Sequence, residues 1–116
     1  MARTAVIVDD HAGFRARATE LLEAAGWRVV GACPDGRSAL TAISALRPDL
    51  VLLDVQLPDI DGFGVTAQVE EPGRVVLVST RDAADYGGRV ARSGAAGFIT
   101  KAELSAQALA RVVQGP

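Results

Sequence analysis

Cysteine is almost missing from this chain. Cys33 stands alone, so no disulfide can close within the chain, and no Cys/His spacing of metal-site type surrounds it. A small core residue at a strand end is the expected role. Aromatic residues are only 4% of the sequence, which leaves Ala, Val and Leu to build the core. No apolar run approaches membrane-spanning length. The N-terminal MARTAVIVDD holds too short an apolar stretch for a signal peptide, and acids interrupt it. A cytoplasmic protein without membrane contact is expected. Excess positive charge is also lacking: the net charge is −2 and the arginines are scattered, which argues against direct nucleic acid binding. No glycine-rich phosphate loop follows the first apolar run, where DDHAGF stands instead, so a nucleotide- or flavin-binding domain is disfavoured. The length of 116 residues suits one domain over 1–116, able to bury roughly two-thirds of its unfolded surface without a staple.

What is present is a set of four short apolar runs, each ending on a reactive polar residue. AVIV (5–8) leads into Asp9 and Asp10, LVLL (50–53) into Asp54, VVLV (75–78) into Ser79, and GFIT (97–100) into Lys101. Continuous apolar runs of this length are the pattern of strands buried on both faces of a parallel sheet. Ligand chemistry in such sheets gathers at the carboxyl ends of the strands. Acids, a hydroxyl and an amine far apart in sequence should therefore share one rim.

Helical patterns separate the strands. Residues 4–9 read as the first strand. Phe14, Ala18, Leu21, Leu22 and Ala25 then recur at helical spacing, and Gly26 stops that helix. WRVVGAC (27–33) reads as the second strand, with Trp27 a partly buried aromatic. Pro34-Asp35-Gly36 is a turn whose Asp35 can cap a helix carrying Ala39, Leu40, Ile43 and Leu46 inward. Arg47-Pro48 ends that helix, because the residue before proline is pushed out of helical geometry. Residues 50–54 are the third strand, followed by a loop over 56–62 and a short helix from about 63 to 71. Residues 74–79 are the fourth strand, a fourth helix is predicted within 82–93, and 97–100 are the fifth strand. Leu104, Ala108, Leu109, Val112 and Val113 are spaced for a last helix. Adjacent Gly87 and Gly88 weaken the fourth helix by about 0.5–1 kcal/mol each relative to alanine, which marks it either as an element prone to shift or fray or as one whose close packing needs glycine. Five successive βα units imply a parallel sheet with helices on both faces and right-handed crossovers.

Clustered carboxylates resist full ionisation unless a cation relieves them. Mg²⁺ suits such a place, because it takes oxygen ligands in octahedral geometry and keeps several waters. Lys101 offers a point charge for phosphate and Ser79 a hydroxyl for a phosphoryl oxygen. Helix capping accounts for any one of the three aspartates, but poorly for three at equivalent strand ends facing a lysine. His11 reads as a solvated loop histidine, and Asp59 and Asp61 as turn and cap residues.

The segments VIVDDH (6–11), LVLLDVQLPDIDGF (50–63), VVLVSTRD (75–82) and GAAGFITK (94–101) resemble, in order and spacing, the receiver domain of bacterial two-component response regulators. The resemblance covers essentially the whole chain and is nearest to receivers of the LuxR/NarL type. It implies a flavodoxin-like, doubly wound α/β fold with a five-stranded parallel sheet of order 2-1-3-4-5. It implies that Asp54 is the phosphoacceptor, attacking a phosphohistidine to give an aspartyl phosphate. Asp10 and Asp54 would be direct Mg²⁺ ligands, Asp9 would act through water, and the backbone carbonyl of Gln56 would complete the protein ligands. Lys101 would neutralise the phosphoryl oxygens. Ser79 and Phe98 match the family's switch pair, which reshapes the face made by the fourth helix, fifth strand and fifth helix. Phe98 can also be read as a plain core aromatic. The implied partners are a sensor histidine kinase or a phosphotransfer protein, with a homodimer through the switch face as a further option. The chain is a signalling phosphoacceptor in this reading and not an enzyme in the ordinary sense.

Several positions depart from the family pattern. Ala102 follows Lys101 where proline is common, so a trans bond is expected there. Thr80 stands where a smaller residue is usual and narrows access to the phosphoryl group. Gln56 and Arg81 lie two residues past Asp54 and Ser79, flanking the path of hydrolytic water. The segment between Gly62 and Arg74 is short, so the third helix should be trimmed. Phe98 lacks the hydroxyl that tyrosine often supplies at its position. Two further readings stand beside the stand-alone receiver: the N-terminal receiver of a longer DNA-binding regulator, and a phosphatase of the haloacid dehalogenase type. The second typically needs an acid two residues past its nucleophile, where this chain has Gln56.

Overall fold

The computed structural model describes residues 3–114. Five parallel strands form one sheet: β1 (Thr4–Val8), β2 (Arg28–Cys33), β3 (Leu50–Asp54), β4 (Val75–Ser79) and β5 (Gly97–Thr100). Their spatial order is β2-β1-β3-β4-β5, the flavodoxin-like order implied by the resemblance. In register, Leu52 of β3 lies between Ile7 of β1 and Val76 of β4. A register shift between Ala5 and Val6 marks the pairing of β1 with β2.

Side chains alternate across a strand, so each apolar run feeds two cores. Ala5, Ile7, Leu50, Leu52, Val76 and Val78 face one layer, built with Phe14, Ala18 and Leu22 of α1 (Ala12–Ala24) and Leu109 of α5 (Ala106–Gln114). Val6, Val8, Val51, Leu53, Val75 and Leu77 face the other, against Ala39 of α2 (Gly36–Leu46) and Phe63 and Val65 of α3 (Gly62–Gln68). Burial on both faces is the reason these runs carry no polar alternation. Trp27 lies just before β2 and is buried in the first core, with the Arg3 guanidinium 4.3 Å from its ring. Cys33 is buried at the end of β2.

The helix ends follow local chemistry. Asp35 Oδ1 accepts from the Ser38 N–H at 2.8 Å, capping α2, and Asp61 Oδ1 accepts from the Gly64 N–H at 2.8 Å, capping α3. Asp59 reaches across the molecule to accept from the Gly36 and Arg37 N–H groups at 2.8 and 3.0 Å. Those backbone donors hold its carboxyl down at about 2. Arg47 leaves α2 in the left-handed region, at φ 45°.

Three elements differ from expectation. α3 stops at Gln68 rather than about 71, because Val69 is extended and a 3-10 turn over Pro72–Arg74 then leads into β4. The helix predicted within 82–93 is broken. A 3-10 turn covers Ala83–Tyr86, Gly87 takes φ 59° and ψ −133°, and α4 is a single turn over Arg89–Arg92. That conformation belongs to glycine, so the glycine pair ends the first turn instead of weakening one helix. The last helix begins at Ala106, not at Leu104, since a 3-10 turn over Lys101–Glu103 precedes it and Ser105 Oγ accepts from the Ala108 N–H at 3.0 Å. All described peptide bonds are trans, that after Lys101 included.

Candidate functional site

The carboxyl ends of β1, β3, β4 and β5 share one rim, because parallel pairing aligns their directions. Val8 of β1 pairs with Leu53, so Asp9 and Asp54 each follow a matched position. Both are buried, Asp9 at 0% exposure. Lys101, leaving β5, extends its ammonium between them, with Nζ 2.5 Å from Asp9 Oδ2 and 3.4 Å from Asp54 Oδ2. It also sits 4.4 Å from the centre of the Phe14 ring, a cation–π contact that backs the ammonium from α1. The Gln56 N–H donates to Asp54 Oδ1 at 3.3 Å.

Asp9 Oδ2 is buried and has the Lys101 ammonium directly beside it. Asp9, Asp10 and His11 place one ligand atom each within 4.8 Å of one another. His11 Nδ1 lies 3.3 Å from Asp9 and 3.1 Å from Asp10, although its side chain is 74% exposed. From sequence, His11 reads as a solvated loop residue. It is solvated, yet it also joins the acid pair. Adjacent carboxylates of Asp9 and Asp10 offer the oxygen donors that suit a hard divalent cation such as Mg²⁺.

Electrostatics at Asp54 point the same way. Burial, and then the charge of Asp9, raise its carboxyl from the ordinary 3.8 to about 6, against the pull of Lys101 and the Gln56 N–H. A carboxyl that titrates higher when folded binds its proton more strongly in the folded chain. Its contribution to stability therefore falls as pH rises from about 4 to about 6. The cost of the ionised Asp54 above that window is about 3 kcal/mol before solvent screening reduces it. Urea unfolding should show this slope in metal-free buffer, and Asp54→Asn should flatten it and raise stability at pH 7. A variant with an unchanged slope would place the titration elsewhere.

Ser79 is also buried, at 0% exposure, but its hydroxyl does not join the lysine cluster. Its Oγ lies 2.7 Å from the Tyr86 hydroxyl and accepts from the Arg81 N–H at 3.1 Å. Tyr86 packs edge-on against Phe63 (centroids 5.5 Å apart) and tilted against Phe98 (6.1 Å). Phe98 is half-buried. Sequence reasoning missed Tyr86. It is the sole tyrosine, seven residues past Ser79, which is the one signal that pointed to it. Gln56, Thr80 and Arg81 are exposed at the rim.

The response regulator receiver domain family matches residues 5–114. The chain is 41% identical over 100 residues to the probable transcriptional regulatory protein NarL of Mycobacterium tuberculosis, covering 83% of this chain and 46% of that protein. It is 34% identical over 101 residues to a putative transcriptional regulator of Pseudomonas aeruginosa, covering 84% of this chain and 49% of that protein. The chain thus spans about half the length of the curated relatives it matches. The solved signal receiver domain of the putative response regulator NarL from M. tuberculosis superimposes with a TM-score of 0.85 at 32% identity, over 99% of this chain and 98% of that one. With the strand order, the acid–lysine rim and these likenesses in agreement, the chain belongs to the receiver domains of two-component response regulators.

Proposed function

We propose that this chain is a phosphorylation switch in which Asp54 accepts a phosphoryl group from a phosphohistidine. The observation that carries the reading is the Lys101 ammonium lying between Asp9 and Asp54 at the strand rim. The Asp54 carboxylate attacks phosphorus, the histidine nitrogen leaves, and an aspartyl phosphate remains. Phosphoryl transfer needs alignment and positive charge around the equatorial oxygens more than covalent assistance. Lys101, held from behind by Phe14, supplies one such charge on a fixed stem.

Asp10 and Asp54, with Asp9 through water and the Gln56 backbone carbonyl, would hold Mg²⁺. When bound, the ion supplies charge neutralisation for phosphoryl oxygens. A cation there would offset the charge of Asp9 that, with burial, raises the Asp54 carboxyl to about 6. Ser79 and Phe98 form the switch pair, reshaping the face of α4, β5 and α5 for a partner or a second copy. The phosphodonor is a sensor histidine kinase or a phosphotransfer protein in the cytoplasm. The chain acts as one receiver domain, stand-alone or at the N-terminus of a DNA-binding regulator, and catalyses only its own phosphorylation and dephosphorylation. Among the described residues no helix is long and apolar enough to cross a membrane.

Incubation with a small acyl phosphate and Mg²⁺ should add one phosphoryl group by intact mass, which a chelator should prevent. No gain with the metal present would refute the reading. Gln56 and Arg81 are exposed beside the site, so Gln56→Ala and Arg81→Ala should change the decay rate of the phosphorylated form about two- to tenfold, as expected where one hydrogen bond or charge is altered. Their phosphorylation yield at saturation should change less. Equal decay rates in all three proteins would remove both residues from the path of water.

A further inference from the structure

The hydroxyl that Phe98 lacks is present nearby on a different element. Tyr86 closes the 3-10 turn after β4 and brings its phenol 2.7 Å from Ser79 Oγ, while its ring rests against Phe63 and Phe98. Resting on the phosphoacceptor reading, we propose that Tyr86 is a positioning residue that holds the Ser79 hydroxyl in the unphosphorylated chain and is released when Asp54 is phosphorylated.

The argument is geometric. Ser79 is fully buried, and its Oγ has two partners, the Tyr86 hydroxyl and the Arg81 N–H. Turning Oγ toward a phosphoryl oxygen means changing the serine rotamer, which moves that atom by about 2–3 Å. A 2.7 Å contact does not survive such a movement, whichever hydroxyl donates. The phenol then loses its buried partner.

What Tyr86 is attached to determines where that loss is felt. Gly87 follows at φ 59°, a joint that breaks the segment in two. On the far side, Arg89 lies 4.3 Å from the Phe63 ring and 3.3 Å from Asp61 Oδ2, and Val90 packs into the second core. The turn before Gly87 is thus tied to Ser79, Phe98 and the Phe63 ring of α3, and the turn after it to that same ring and to Asp61. Release of the Tyr86 hydroxyl removes the tie to Ser79 and leaves the first turn held by its ring contacts alone. Tyr86 and Phe98 together divide between two side chains the ring and the hydroxyl that one tyrosine on β5 would combine.

Tyr86 is the sole tyrosine, so 3-fluorotyrosine incorporation gives one ¹⁹F signal beside the hydroxyl in question. Addition of a small acyl phosphate and Mg²⁺ should shift that signal toward its position in unphosphorylated Ser79→Ala. Tyr86→Phe keeps both ring contacts and removes only the hydroxyl. It should phosphorylate about three- to tenfold faster than wild type from the same donor, because one hydrogen bond favouring the resting state is gone. A purely structural tyrosine would leave the rate unchanged or lower it. Phosphorylation confirmed by intact mass with an unmoved ¹⁹F signal would overturn the proposal, as would an unchanged or slower rate in Tyr86→Phe. No gain of mass in wild type would instead overturn the phosphoacceptor reading, and the Tyr86 proposal with it.

Discussion

Asp54→Asn is expected to gain no phosphoryl mass under conditions that label the wild type to completion. The change replaces the carboxylate proposed as the nucleophile by an amide of nearly equal shape, so the packing of β3 is retained. Asp54 is the buried acid that shares Lys101 with Asp9, and the charge it carries is costly where it sits. The variant should therefore be more stable than wild type at pH 7. Loss of labelling together with a raised melting temperature excludes unfolding as the cause, which a simple loss of activity could not do. Equal labelling of the two proteins would defeat the assignment of Asp54. Lys101 would keep its partner in Asp9, so the rim should hold its arrangement in the variant.

Gly62→Ala is the substitution expected to damage the fold most for its size. Gly62 opens α3, and its N–H donates to the Val55 carbonyl at 2.8 Å, folding the loop back over the end of β3. A β-carbon there would come within 2.6 Å of the Asp54 carbonyl oxygen and 2.9 Å of Val55 Cα. Both are backbone atoms, of Asp54 at the end of β3 and of the residue after it, so no side chain can turn aside to make room. Overpacking of this kind costs about 1–3 kcal/mol, and the upper end is expected against backbone. For a chain of this size that is a fall of roughly 10 °C in melting temperature. Phosphorylation should slow as well, since relief of the clash moves Asp54 relative to Lys101. A melting temperature within about a degree of wild type would show that the loop has more room than the geometry implies. Gly73→Ala is the control, because a β-carbon added there would meet no heavy atom within 4 Å.

Both results concern a rim that local patterns outline. An apolar run ending in a polar residue is a short-range signal, and a parallel sheet makes it long-range, because every strand delivers its carboxyl end to the same edge. Asp9, Asp54 and Lys101 meet for that reason. Helix caps are legible in kind but not in partner. Asp35 and Asp61 cap the helices they precede, as nearest neighbours do, while Asp59 reaches back 23 residues to the start of α2. Nothing local to Asp59 distinguishes these outcomes. The loop position of His11 points to solvent, yet the turn of the chain after β1 brings its ring to both aspartates.

Periodicity and strand-end chemistry were sufficient for the α/β class, the five strands and the meeting of Asp9, Asp54 and Lys101 at one rim. Hydrophobic spacing and turn residues act over a few positions, and each element could be read without its neighbours. The pairing of Ser79 with Tyr86, the break at Gly87 and the tightness around Gly62 were decided only by tertiary structure. Each depends on the distance between segments that meet through packing, and the β-carbon or hydroxyl at issue has no neighbour until the whole sheet and its helices are in place.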